Sequence, residues 1–193
     1  MTIGYSVEGS TDRALVRGLQ RRWCPRAELL EGRFRGTSHL SQRREIPRTC
    51  LELASKGAEV IVFLRDANEE DWRDVLKADE ARCPAEHQHL VVFGVCARNV
   101  ESWLCSEVSW IAAQTGADPN QLAVEDPKRA FEKAVGVAGW DRKEEEIASL
   151  VQRAPLERWL ANKSFENFYG KLWQKSKQVP GCRLENLRER PPT

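Results

Sequence analysis

Ile3-Gly4-Tyr5-Ser6-Val7-Glu8-Gly9-Ser10-Thr11-Asp12 is the stretch on which the fold turns. Ile3, Tyr5 and Val7 alternate with the period of a strand. Gly9 breaks that strand and Ser10 or Thr11 offers a helix cap. Leu15, Val16, Leu19 and Trp23 then recur at helical spacing. A carboxylate at the C-terminal tip of a strand, followed by glycine and a helix cap, suits metal binding at the edge of an α/β sheet.

The same alternation continues outward. Ala27–Leu30 reads as a short strand and 32–36 as a basic loop. Ile46, Cys50, Leu53 and Ala54 line one face of a second helix, with Pro47 in its first turn and Gly57 as its stop. Glu59–Leu64 is a continuous apolar, β-branched run, as expected of a strand buried on both faces. A helix through Trp72, Val75 and Leu76 ends near Cys83-Pro84, His89–Cys96 is another apolar strand, and Asn99–Cys105 turns into a helix. The order βαβαβαβ, with crossovers long enough for helices, predicts an α/β fold with a parallel or mostly parallel four-stranded sheet. Beyond residue 106 only helices are expected: 128–135, 143–153 and 156–177. In the last, Phe165, Phe168, Tyr169, Leu172 and Trp173 form one apolar stripe. The expected organisation is an α/β domain over 1–106 and a helical C-terminal extension over 107–193 packed on it.

Charge is balanced overall, with 30 basic and 29 acidic residues, but unevenly placed. Residues 1–56 carry a net +5, 57–126 a net −9 and 127–193 a net +5. Basic ends around an acidic middle fit metal-binding carboxylates beside phosphate-binding arginines, and equally fit ordinary solvated surface. The six cysteines contain no C-x-x-C pair, so neither a zinc site nor a secreted disulfide framework is read. Buried free thiols are expected. Arg13 and Arg17 arrive before any long apolar run, and no stretch approaches the roughly 18 apolar residues of a membrane span. A soluble cytoplasmic protein without a membrane partner is expected.

Ligands of a parallel sheet bind at the carboxyl ends of its strands. Glu8 lies at that end of the first strand, Asp66 two residues past Leu64, and Glu101 just after the Cys96 strand. Three carboxylates on one edge are hard oxygen ligands suited to Mg²⁺ or Mn²⁺. Ions held there can support phosphodiester cleavage. Asn68, Glu69, Glu70 and Asp71 follow Asp66 closely and fit as further ligands. Taken singly, each acid also fits a cap or a helix dipole. Arg33, Arg35, Arg43, Arg44 and Arg48 fit either a phosphate backbone or a solvated helix face.

Val7-Glu8-Gly9-Ser10-Thr11-Asp12 resembles the first motif of TOPRIM domains, shared by topoisomerases, bacterial primases and the overcoming-lysogenisation-defect nucleases. Phe63-Leu64-Arg65-Asp66-Ala67-Asn68 sits where that Rossmann-like fold carries its Asp-x-Asp motif. With Asn99-Val100-Glu101-Ser102-Trp103-Leu104, the chain resembles a bacterial TOPRIM-like family of undefined function, often encoded beside ATPases in presumed phage-defence loci. Ser164-Phe165-x-x-Phe168 is a weaker echo. The resemblance implies a metal-dependent nuclease acting on DNA or RNA. Glu8, Asp66 and Glu101 would be catalytic, and the same three with Asn68 would hold Mg²⁺ or Mn²⁺. Gly9, Asp12 and Asp71 would support the site, Arg33, Arg35, Arg43 and Arg44 would contact nucleic acid, and an ATPase would be the partner. The departure is Asn68, which stands where the family has its second aspartate. That change favours a rival reading, a module that binds an ATPase or nucleic acid without chemistry. No glycine-rich phosphate loop supports a nucleotide-binding enzyme.

Overall fold

The computed structural model describes residues 1–32, 39–122, 126–139, 143–182, 184, 186 and 187. Four strands form one all-parallel sheet: β1 (Thr2–Val7), β2 (Glu28–Glu31), β3 (Val60–Asp66) and β4 (Val91–Cys96), in the order β2-β1-β3-β4. Helices α1 (Ser10–Trp23), α2 (His39–Ser55) and α3 (Trp72–Glu80) make the crossovers. Seven helices follow: α4 (Glu101–Leu104), α5 (Val108–Thr115), α6 (Pro119–Leu122), α7 (Pro127–Ala138), α8 (Lys143–Arg153), α9 (Leu156–Trp159) and α10 (Lys163–Ser176). The described residues thus form an α/β fold with a helical C-terminal part. None of their helices is long and apolar enough to cross a membrane.

The sheet separates two cores, as the period-two side-chain alternation of β3 requires. Val60, Val62 and Leu64 face α1 and the C-terminal helices, whereas Ile61 and Phe63 face Ile46, Cys50 and Leu53 of α2 and Val75 and Leu76 of α3. Each such side chain removed from water contributes about 1.5–3 kcal/mol. Two glycines set the closest packing on the first face. A Cβ on Gly18 would stand 2.5 Å from Val151 Cβ and 2.6 Å from the Ala148 carbonyl oxygen, so α1 and α8 approach at backbone distance. A Cβ on Gly94 would stand 2.8 Å from Phe168 Cδ2, and this flat spot on β4 receives α10. Ion pairs from Arg13 and Arg17 to Glu144 and from Arg21 to Glu145 lace the α1–α8 contact.

Four local expectations are corrected. The stretch 156–177 is two helices, because Asn162 Oδ1 accepts from Ser164 N–H (3.1 Å) and Phe165 N–H (3.5 Å) and starts α10 afresh. Pro47 lies inside α2, which begins at His39, and its exposed position lets the helix pass it. Neither Ser10 nor Thr11 caps α1; Gly9 is its N-cap, and Asp12 reaches back to accept the Gly9 N–H at 2.8 Å. The cysteines are not all free thiols: Cys24, at the end of α1, is bonded to Cys182 beyond α10, with Cα atoms 4.6 Å apart. Cys50, Cys83, Cys96 and Cys105 are reduced.

Candidate functional site

The carboxyl edge of the sheet is stepped. Val7 pairs with Leu64, and Asp66 pairs with Cys96, so β3 projects past β1 toward the loop after β4. Glu8 follows β1 as an exposed side chain, and Asp66 is the last residue of β3. Glu101 opens α4 and is 7% exposed; Asp12, in the first turn of α1, is 5% exposed. Val100 N–H donates to the Asp66 carboxylate, and Gly9 N–H to Asp12 Oδ2. The Oδ1 atoms of Asp12 and Asp66 are buried without a hydrogen-bond partner.

Electrostatics bind these side chains into one cluster. Burial, then the charges of Glu101 and Glu8, push Asp66 up to about 7, against the pull of Val100 N–H and Lys128. Burial and the charge of Asp66, with smaller contributions from Glu101 and Glu8, push Asp12 well above the usual carboxylate range. Burial also raises Glu101, while Lys128 and Lys143 at the starts of α7 and α8 pull it down. Beneath them Cys96, fully buried, is pushed up by burial and by all four acids. Ionised carboxylates crowded in a low-dielectric place raise one another in this way unless a cation joins them.

The donor set fits a hard divalent ion: oxygen ligands only, two of them unsatisfied and buried. Among the described residues, no group of three or more His, Cys, Asp or Glu stands ready to hold a metal ion. The acids therefore share a field without forming a closed cage.

The remaining expected site residues divide. Asn68 is exposed and adopts a left-handed backbone (φ 53°), a conformation asparagine tolerates, and its N–H donates to the Arg98 carbonyl at 2.8 Å. Asp71 is the N-cap of α3, accepting from Arg73 N–H at 2.7 Å, and so supports that helix. Arg43 has a partner within the fold. Its Nε donates to Asp79 Oδ1 at 2.9 Å, and Arg65, on the opposite face of β3 from Asp66, meets the same carboxylate at 3.2 Å. Arg65 and Asp79 are 2% and 1% exposed, so this pair is a buried bond between β3 and α3. Arg44 and Arg48 are exposed on α2; Arg33 and Arg35 lie outside the described residues.

Sequence reasoning missed the Arg65–Asp79 pair, although its signal was present. Asp79 follows Val75 and Leu76 at i+4 and i+3 on the apolar face of α3, and Arg65 interrupts an apolar strand. Ser164, noted only within the weaker echo of the family motif, was given no role; its hydroxyl accepts from the indole N–H of Trp103, two residues past Glu101, at 2.7 Å.

Protein-family models, curated proteins and solved structures yield no match to this chain.

Proposed function

We propose that the chain is a TOPRIM-like nuclease that hydrolyses phosphodiester bonds of DNA or RNA with Mg²⁺ or Mn²⁺. The observation that carries this reading is the placement of Glu8, Asp12, Asp66 and Glu101 at the carboxyl edge of a parallel sheet, near enough for their charges to act on one another, with buried, unpartnered oxygens on Asp12 and Asp66. Asp66, Glu101 and Glu8 would hold the ion. Such an ion, when bound, stabilises the leaving oxygen and makes water acidic enough to attack. Glu8, the exposed acid of the set, takes the proton from the attacking water. Asp12 holds the Gly9 N–H and so fixes the turn that presents Glu8. Lys128 and Lys143 offset part of the negative field, which lets an anionic phosphate approach.

The experiment is cleavage of labelled single- and double-stranded DNA and RNA with Mg²⁺ or Mn²⁺, comparing the wild type with Glu8→Gln, Asp66→Asn and Glu101→Gln. Loss of cleavage by about 10²-fold or more in each folded variant is expected. Cleavage unchanged in Glu8→Gln or Asp66→Asn overturns the reading.

Asn68 favours a second reading, a module that docks an ATPase partner or nucleic acid without chemistry. It predicts a wild type that binds a labelled oligonucleotide or a co-expressed ATPase and cleaves nothing with either ion.

A further inference from the structure

Ser164 lies in the first turn of α10, far along the chain from the carboxylates, yet two of the three hydrogen bonds of its hydroxyl go to the edge that carries them. Oγ accepts from Trp103 Nε1–H at 2.7 Å and from Ala97 N–H at 3.2 Å, and it donates to Asn162 Oδ1 at 2.9 Å. A serine hydroxyl offers one donor and two acceptor positions. All three are used, and the residue is 2% exposed.

The two groups that donate to Ser164 bracket Glu101. Ala97 directly follows β4, and Trp103 lies two residues past Glu101. The end of β4 and the stretch after it clasp the end of β3: Ala67 N–H donates to the Cys96 carbonyl (2.9 Å), Asn68 N–H to the Arg98 carbonyl (2.8 Å), and Val100 N–H to the Asp66 carboxylate. Inside the stretch, Asn99 and Ser102 close a local turn, with Ser102 N–H on Asn99 Oδ1 at 3.1 Å and Ser102 Oγ on the Asn99 carbonyl at 2.7 Å. Asn162 adds a second tie, Nδ2 to the Ser102 carbonyl at 3.5 Å. The Trp103 ring is already held by packing, with Phe165 and Phe168 each 5.3 Å from it. What the hydroxyl adds is direction: it joins the end of β4, α4 and the cap of α10 at one atom.

We propose that Ser164 is a positioning residue of the carboxylate site, fixing the 97–103 segment so that Asp66 and Glu101 converge on one point. The inference rests on the metal-site reading above. It makes the C-terminal helices part of the site: α10 supplies no ligand, yet the ligand geometry depends on it.

The test is Mn²⁺ affinity by isothermal titration calorimetry, with thermal unfolding measured on the same samples. Ser164→Ala removes the hydroxyl without adding bulk and weakens Mn²⁺ binding about tenfold, the low end of what losing a group that orients a ligand costs. Val151→Ala, a truncation in the α1–α8 contact, lowers stability but leaves Mn²⁺ affinity at the wild-type value. Should Ser164→Ala fail to fold, Trp103→Phe, which keeps the ring and removes only its N–H, carries the same comparison with the same expected direction. Wild-type Mn²⁺ affinity in the Ser164 or Trp103 variant, alongside lost binding in Glu101→Gln, overturns the positioning role and leaves the metal site standing. An equal loss of affinity in Val151→Ala also overturns it, since general destabilisation then accounts for the effect. A wild type that takes up no Mn²⁺ overturns the metal-site reading and this inference with it.

Discussion

Asp66→Asn removes one charge from the crowded edge while leaving an oxygen to accept the Val100 N–H. In the metal-free protein the burial of Asp66 and the charges of Glu101 and Glu8 lift its carboxyl from the ordinary 3.8 to about 7. A raised carboxyl pKa means that the folded state holds its proton more tightly than the unfolded chain. Below about pH 4 both states are protonated and Asp66 costs nothing; stability then falls as pH rises toward 7 and stays low above it. The gap between 3.8 and about 7 corresponds to about 4 kcal/mol at about 1.4 kcal/mol per pH unit. Asp66→Asn should therefore be more stable than the wild type at pH 8 in EDTA by up to about 4 kcal/mol, and about equal to it at pH 4. Urea unfolding followed by tryptophan fluorescence measures the difference at each pH. Saturating Mg²⁺ should close most of the gap at pH 8 by stabilising only the wild type. A variant less stable than the wild type at pH 8, or a difference that does not change with pH, would refute the reasoning.

Three further outcomes follow from the packing. Asp79→Ala strands the buried Arg65 guanidinium, so it should cost about 3–5 kcal/mol in urea unfolding; a cost under about 1 kcal/mol would mean that the pair is solvated. Gly18→Ala gains about 1 kcal/mol of helix propensity but drives a Cβ into Val151 and Ala148, and overpacking of that kind costs about 1–3 kcal/mol. Net destabilisation by chemical unfolding is expected, and a net gain would mean that α1 and α8 do not touch at that point. Reducing Cys24–Cys182, which closes a loop spanning 158 residues of sequence separation, should lower the unfolding midpoint, with loop closure worth roughly 5 kcal/mol in the chain-entropy picture. Cys182→Ser should show the lower midpoint with or without reductant, and a wild type indifferent to reductant would contradict the bond.

The sheet was legible because strands buried on both faces must be apolar throughout. Glu59–Leu64 and His89–Cys96 stood out for that reason and appear as β3 and β4. The three acids at strand ends were legible from order alone, since a parallel sheet sends every strand's carboxyl end to one edge. Burial was not legible. Asp12 reads as an ordinary first-turn acid, and its 5% exposure depends on tertiary packing that local sequence does not record. With Pro47 read in the first turn of the second helix, the sequence leaves Arg43 ahead of it and cannot say that it sits on α2 and turns toward Asp79 on α3. The break at Asn162 was hidden because the apolar spacing runs on across it, and only the side chain's bonds to Ser164 and Phe165 reveal a cap. Cys24 and Cys182 carry no local pairing signal at that separation.

In the proposed site Glu8, Asp66 and Glu101 serve one divalent cation. Anomalous diffraction from a crystal soaked in Mn²⁺ tests it most directly. One anomalous peak is expected at the carboxyl edge of the sheet, with carboxylate oxygens of Asp66 and Glu101 about 2.2 Å from it and Glu8 bound directly or through water. A crystal that binds Mn²⁺ elsewhere, or shows the three carboxylates turned apart with no peak between them, would contradict it.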